Sequence, residues 1–472
     1  MPANDAHRSD LSGPAGSYLP ASGGGSDVFF GRKGTAIPLP LIERAEGIRM
    51  WDDGGTEYID MSSGPIVSNI GHGVREVGEA IANQINTVDF ACSRIARHRA
   101  NIQLSDQVAR LAGPGFERAC FVSGGSEANE IAIKFLRQHA ISNGQTNRRH
   151  VITCMPSYHG GTFSALAWSG DNTLGNFLDG MVVDSPKVPA PFTYRVPENH
   201  TVESYAQHCA DALRSKINEL GAENVLAFMI EPVGGVATGA NVPHELFLRE
   251  VRKICDENGV YLVFDEVMSG SGRTGKFLSA HYWPDIRPDV AVLAKGLAAG
   301  YVPLGAVLVP ASMADPLAED IGFDFSHTYT ANPVASAAGC AVLDYTEKHG
   351  LMDNATTMGT YLRDQLEGLK ASCPLIGDIR GLGLLMSLEM VADQATKKML
   401  PLEAVAADRI RMHGLDNGLM IYSRRTCNGE NGEWFMLAPP LTITRPECDE
   451  LIKRLVATLN SLADELTREG LL

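Results

Sequence analysis

Five short apolar runs in this chain each stop at a polar residue or a turn, and that repetition narrows the folds open to it. Ala119-Cys120-Phe121-Val122 ends at Ser123-Gly124-Gly125-Ser126, and Val151-Ile152-Thr153-Cys154 ends just before Ser157-Tyr158-His159-Gly160. The run from Val225 to Ile230 ends at Glu231, Tyr261-Leu262-Val263-Phe264 ends at Asp265-Glu266, and the run from Val290 to Ala294 ends at Lys295. Runs that are apolar at every position predict strands buried on both faces of a mainly parallel sheet. The stretches between them are long enough for crossover helices; from His244 to Glu257, Leu246, Leu248, Val251 and Ile254 recur at helical spacing. In open α/β sheets ligands bind at the carboxyl ends of the strands. Five segments would therefore bring their polar residues to one edge, and the fold class expected is α/β.

After about residue 335 the pattern changes. Arg380-Gly381-Leu382-Gly383 leads into the apolar run from Leu384 to Leu388, and Ile452, Leu455, Leu459, Leu462 and Leu466 recur by threes and fours. That spacing predicts an amphipathic helix on a smaller α+β domain. With 472 residues the chain is long enough for more than one domain. Residues 1–27, which include Ser22-Gly23-Gly24-Gly25-Ser26, read as a flexible tail.

The net charge of −16 would be repelled by nucleic acid and by an anionic membrane, so neither is expected as a partner. Nine cysteines, without close pairs or metal spacing, read as reduced thiols and not as a disulfide framework or a zinc site. No apolar stretch is long enough to span a membrane, and no secretory signal pattern opens the chain, so a cytoplasmic protein is expected.

Each polar strand end has two readings. Glycines 124 and 125, between a strand and a helix, would let backbone N–H groups approach an anion at the helix N-terminus, with Ser126 capping the helix and donating its hydroxyl. A plain glycine turn with a serine cap explains the same residues. Asp265 would be poorly solvated and needs hydrogen bonds or a cationic partner such as a pyridinium nitrogen, or it caps a turn. Lys295 would have its pKa lowered by burial and a nearby cation, as an imine-forming amine requires, or it snorkels from a strand end. Tyr158 offers a plate for a flat ring or packs in the core. Thr328, in His327-Thr328-Tyr329, donates to phosphate or caps a turn.

Together these residues resemble the class III aminotransferases of the fold type I pyridoxal-phosphate enzymes. The resemblance runs from about Gly31 to the C-terminus. Its most specific piece is the stretch from Phe264 to Gly275, with Asp265-Glu266-Val267 at its head, followed by Ala294-Lys295-Gly296-Leu297. Gly125-Ser126-Glu127-Ala128, Tyr158-His159-Gly160, Glu231-Pro232-Val233 and Asn332-Pro333-Val334 match as well. The resemblance implies a large domain over residues 66–334, built on a seven-stranded, mainly parallel sheet flanked by helices. It also implies a small α+β domain over residues 335–472, packed with an N-terminal segment of residues 28–65.

It further implies pyridoxal 5′-phosphate as cofactor, carried by Lys295 as a Schiff base, with Lys295 then shuttling the proton. Asp265 would pair with the ring nitrogen. Gly125 and Ser126 would hold the phosphate, with Thr328 reaching it from the second subunit of a homodimer. Tyr158 and Val267 would cover the two ring faces, with His159 and Glu231 also at the cofactor. The activity implied moves an amino group from an amine to a 2-oxo acid, pyruvate or 2-oxoglutarate, by a ping-pong cycle. A lyase, racemase or decarboxylase would use the same cofactor contacts.

This chain departs from its relatives at four places. Gly161 stands where many carry an arginine for a second substrate carboxylate, which favours amines without one. Ile66 stands where relatives that act on amines with pyruvate often have tryptophan. Gly124 replaces a usual serine, and Gly234 stands where the pattern Glu-Pro-x-Gln-Gly has glutamine. Arg424 and Arg425 both lie near the position of an arginine that binds the substrate carboxylate and swings aside for apolar groups.

Overall fold

The computed structural model describes residues 39–171, 180–183, 185–324 and 326–472. The tail assigned to residues 1–27, and the start of the segment assigned to 28–65, lie outside the described residues.

Strands β1 (Ile42–Glu46), β2 (Arg49–Asp52) and β3 (Glu57–Asp60) pair antiparallel. The main sheet is built from β4 (Arg118–Val122), β5 (His150–Met155), β6 (Lys187–Pro189), β7 (Val225–Ile230), β8 (Tyr261–Asp265), β9 (Val290–Leu293) and β10 (Gly305–Val309). Its seven strands run in the order β4-β10-β9-β8-β7-β5-β6. All are parallel except β10, which lies antiparallel between β4 and β9. The apolar runs follow from burial on both faces. Leu262 and Phe264 join one core with Ala291 and Leu293, while Val263 joins the opposite core with Val290 and Val292. Every position is therefore withdrawn from water, worth about 1.5–3 kcal/mol for each large apolar side chain.

Helix α1 (Gly125–Ser142) follows β4 and packs Ile131, Ala132, Phe135 and Leu136 onto the sheet. Helix α2 (Glu245–Asn258) begins where the spacing placed it, capped by His244, whose Nδ1 accepts from the Leu246 N–H at 3.2 Å. It ends at Gly259 in the left-handed region (φ +60°).

The remaining strands, β11 (Ile376–Leu382), β12 (Leu385–Met390), β13 (Leu419–Met420), β14 (Tyr422–Arg425) and β15 (Glu433–Leu437), come from the second half of the chain. Four of them form a sheet ordered β11-β12-β15-β14, whereas β13 pairs parallel with β3 and so ties residues 42–60 to this region. Helix α3 (Arg445–Arg468) covers it with a stripe of Leu451, Leu455, Leu459, Leu462 and Leu466. Leu451 is the buried member at its start; Ile452 is only partly buried at the stripe's edge.

Candidate active site

Five parallel strands end on one cavity of about 470 Å³, a volume usual for a small-ligand site. Ser123–Ser126 after β4, Tyr158–Gly160 after β5, Glu231 after β7, Asp265 at the end of β8 and Lys295 after β9 all line it. The strand ends expected to share an edge therefore do share one.

Helix α1 opens with Gly124 as its N-cap, and no side chain caps it. Its first internal bond is Ala128 N–H to Gly124 C=O at 2.9 Å, so the N–H groups ahead of Ala128 have no partner within the helix. Ser126 is not the cap that its position suggested. It sits in the first turn, where its Oγ accepts from the Gly161 N–H at 3.0 Å and joins the phosphate-like loop to the Tyr158 loop. The close packing is required: a Cβ on Gly160 would lie 2.5 Å from Ser126 Oγ, and one on Gly305 would lie 2.5 Å from the Gly124 carbonyl. The crowding glycines around Lys295 are thus approached mainly by protein. Gly296 faces Asn69, at 2.1 Å from a built Cβ.

Asp265 is 4% exposed and hydrogen-bonded through both of its oxygens, with acceptor capacity left over. Its Oδ2 accepts from Asn129 Nδ2 at 2.8 Å and from His159 Nδ1 at 2.9 Å, and its Oδ1 accepts from the Val267 N–H at 3.1 Å. Oδ1 thus closes the turn at Val267, and Oδ2 takes the side-chain hydrogen bonds that a buried carboxylate needs. Asn129, which also donates to the His159 carbonyl at 2.7 Å, was not singled out from the sequence. Its signal was there: it lies four residues after Gly125, one helical turn along the same face.

Lys295 is partly buried, with φ at +42°, a region costly for a residue with a Cβ. Burial lowers its amine to about 8, while Asp265 and then Glu231 pull it upward. The nearby cation expected to assist is absent among the described residues; the neighbours are anions, and desolvation wins over them. Glu231 is pushed up to about 7, by burial first and by Asp265, against His159 and two backbone donors. Those donors are the Tyr158 N–H at 3.2 Å and the Gly235 N–H at 2.9 Å, so Glu231 ties the Tyr158 loop to the wall that carries Val236.

Tyr158 is 36% exposed and lines the cavity, so it is not a core residue. Val267 lines it too, pressing within 3.0 Å of a Cβ built on Gly125. Ile66 does not line it. It is 1% exposed and packs with Val236 and Met268, which do, while its neighbour Val67 reaches the cavity directly. Thr328 is exposed and outside the cavity of its own chain.

The register of β14 separates the two arginines. Arg424 lies opposite Trp434 and Tyr422 opposite Met436, on the face of the apolar cluster behind Val236 and Met268. Arg425 lies opposite Glu433 and pairs with it at 3.2 Å. Arg424 is close enough to the Tyr158 phenol to act on it electrostatically.

These donors fit a flat ring with a basic nitrogen, an aldehyde and a phosphate. Free N–H groups at a helix N-terminus suit the phosphate, Asp265 the ring nitrogen, Tyr158 and Val267 the faces, and the depressed amine the aldehyde. The Nε2 of His159 and the Oδ1 of Asn129, behind Asp265, are buried with no hydrogen-bond partner among the described residues, which leaves this polar cluster open to one.

A pH experiment checks the electrostatics. Cofactor-free protein treated with an aromatic aldehyde and borohydride is expected to be labelled at Lys295 with a midpoint near pH 8, because only the neutral amine attacks. Glu231→Gln removes an anion that favours the charged amine, so the midpoint should fall; a rise would contradict this assignment. The stability signs are opposite. The depressed Lys295 group contributes stability above its unfolded value of 10.5, lost as pH falls through about 8. The raised Glu231 group contributes stability below 4.5, lost as pH rises through about 7. The glutamine variant should therefore escape the second loss.

Residues 30–459 match the family described as aminotransferase class-III. The chain is 35% identical to the uncharacterized aminotransferase YodT of Bacillus subtilis, over 91% of this chain and 97% of that one. It is 32% identical to a leucine/methionine racemase of Thermococcus litoralis, over 89% and 90%. Its structure is similar to the omega transaminase of Pseudomonas jessenii solved in complex with PMP, with a TM-score of 0.84, 27% identity, and 91% and 94% of the two chains covered.

Proposed function

Because the chain belongs to the class III aminotransferases and is a pyridoxal-phosphate-dependent transaminase, we propose that it takes the amino group from a primary amine without a distal carboxylate. The acceptor is a 2-oxo acid, pyruvate ahead of 2-oxoglutarate, and the two substrates occupy the cavity in turn. The observation that carries this reading is Gly161. It directly follows the cavity-lining residues Tyr158, His159 and Gly160, a Cβ there would lie 3.9 Å from the Tyr158 hydroxyl, and it brings no charge to that side. A second substrate carboxylate finds no cation at that point.

When bound, pyridoxal 5′-phosphate supplies an electron sink for the carbon that bears the amino group. The chain's own residues do the rest. Gly125 and Ser126 hold the phosphate with their N–H groups; Tyr158 and Val267 orient the ring. Asp265 holds a negative charge against the ring nitrogen, kept in place by His159 and Asn129. Lys295 carries the cofactor and then takes and returns the proton at the reacting carbon. Glu231 holds the Tyr158 loop, and Ile66 shapes the pocket from behind Val236 and Met268. Thr328, exposed and outside its own cavity, meets the phosphate of a second copy in a homodimer.

The alignment of Arg424 with the cavity face supports it, and not Arg425, as partner of the acceptor carboxylate. Arg424→Ala is expected to raise the KM for pyruvate roughly 10- to 100-fold, the worth of a hydrogen bond to a charged group. The KM for an uncharged-tail amine such as benzylamine should move far less. The function itself is tested by product balance: one alanine formed for each benzaldehyde when holoenzyme turns over benzylamine and pyruvate. The racemase relative supports a second reading on the same cofactor contacts. Inversion of an amino acid with no need for a 2-oxo acid, and no alanine, would establish that one instead.

A further inference from the structure

Two polar side chains buried behind Lys295 take no part in the chemistry described above. Arg273, in the loop after β8, is completely buried, and Asn69 is 2% exposed. Each hydrogen bond of the guanidinium goes to a neutral oxygen. Its Nε and Nη2 both donate to Asn69 Oδ1, at 3.2 and 2.7 Å, and Nη2 also donates to Ser63 Oγ at 3.1 Å. Its Nη1 donates to the carbonyls of Leu384 and Pro439. Asn69 in turn donates from Nδ2 to the Ser271 carbonyl at 3.0 Å, and that Nδ2 would lie 2.1 Å from a Cβ on Gly296, the residue after Lys295. A buried cation whose bonds all end on neutral oxygens is costly. The backbone it gathers is strained as well: Ser63, Ser271 and Lys295 have φ at +51°, +55° and +42°. Such conformations persist only where the surroundings over-determine them. Arg273 holds Ser63, while Asn69 holds Ser271 and presses on the neighbour of Lys295.

We propose that Arg273 and Asn69 are positioning residues for Lys295. The guanidinium fixes the Asn69 amide, and that amide bears on Gly296 and keeps the Lys295 backbone left-handed, with its amine in the cavity. The proposal rests on the reading of Lys295 as the residue that carries the cofactor. A guanidinium suits the task, because two N–H groups of its rigid fork converge on one oxygen and fix the amide plane, which a lysine ammonium would not do. With Oδ1 held by Arg273 and Nδ2 by Ser271, the amide cannot swing away, and Gly296 cannot move toward it. Glycine is needed at 296 for this close approach and not for its dihedral, since its φ lies outside the left-handed region. The clamp also ties the aim of the lysine to the second half of the chain. Leu384 lies just before β12 and Pro439 just after β15, and both hold the guanidinium from that side. The N-terminal segment enters through Ser63, whose Oγ donates to the Ala438 carbonyl at 2.7 Å. Neither Arg273 nor Asn69 lines the cavity, so both act through Lys295.

The test compares Asn69→Ala, Gly296→Ala and the double variant. In cofactor-free, full-length protein, trapping an aromatic aldehyde with borohydride reports the Lys295 amine, which faces Asp265 and Glu231. Burial is the larger influence on that amine, so a lysine freed to reach water should titrate higher. The labelling midpoint of Asn69→Ala is expected to rise from about 8 by about one unit, which slows labelling at neutral pH roughly tenfold. In the holoenzyme, kcat with benzylamine and pyruvate should fall roughly 10- to 100-fold, the scale of a misplaced reacting group, with both KM values little changed. Gly296→Ala drives a Cβ into the amide and should be the least active of the three. The double variant removes that collision and should recover the activity, or the folded yield, of Asn69→Ala. A loss of kcat with a midpoint that stays near 8 or falls is what a merely structural role would give, and it would overturn the proposal. So would a double variant no better than Gly296→Ala. Should Asn69→Ala not fold, Asn69→Ser keeps a hydroxyl beside Arg273 while withdrawing the amide from Gly296, and it is expected to show the same rise. If the label of the native protein falls on a residue other than Lys295, the reading of Lys295 fails and the proposal with it. A native label on Lys295 with an unmoved midpoint in the Asn69 variants refutes the clamp alone.

Discussion

Lys295→Ala is expected to abolish amine turnover, with a loss of roughly 10²- to 10⁴-fold from proton transfer alone and a further loss because the cofactor is no longer held covalently. Borohydride treatment of native holoenzyme should leave a stable cofactor label on one peptide, the one carrying Lys295, and the alanine variant should carry none. The fold should survive. Lys295 holds a depressed amine beside two anions, and its backbone has φ at +42°, so the native residue is placed there against its own preferences. Removing the amine relieves the burial of a charge, and the melting temperature of the cofactor-free variant should not fall. A variant that keeps its label, or keeps activity within tenfold, would remove Lys295 from the centre of the mechanism.

Asp265→Asn should cost about 10²- to 10³-fold in kcat, the scale of losing one preorganised electrostatic contact. The amide preserves shape and can still accept from Asn129, so what is lost is the charge. A second readout separates charge from structure. Asp265 is the larger of the two anions that raise the Lys295 amine. Its neutralisation should move the labelling midpoint of cofactor-free protein below about pH 8, and further than Glu231→Gln does. A kcat loss with an unmoved midpoint would mean that the substitution disturbed packing around Asn129 and His159 and not the field at Lys295.

Asp265 and Lys295 were legible in the sequence because a buried strand can end only where its apolar run ends. The residue at that point is then presented at the sheet edge whatever the rest of the chain does. The terminal helix was legible for a related reason, since Leu455, Leu459, Leu462 and Leu466 repeat with the helical period. Ser126 was misread because capping is decided by one residue of phase. The helix begins at Gly125, which leaves Ser126 in the first turn and free to receive the Gly161 N–H. The sign of the charge around Lys295 was misread because it depends on side chains from β7 and β8, which only the sheet order brings beside β9.

What the sequence by itself determined is the local order of the seven-stranded sheet: which runs are strands, where they stop, and which polar residues stand at their ends. Those properties follow from the period of side-chain burial along one element and need no knowledge of its neighbours. The tertiary structure alone decided the antiparallel place of β10, the wall contributed by Val67, and the different partners of Arg424 and Arg425. Each of these joins residues apart in the chain. Arg424 and Arg425 carry the same chemistry at adjacent positions, and only the register of β14 on β15 puts them on opposite faces, one paired with Asp171 and the other with Glu433. Contacts of that kind are set by how packed elements meet, which no periodicity within a single element encodes.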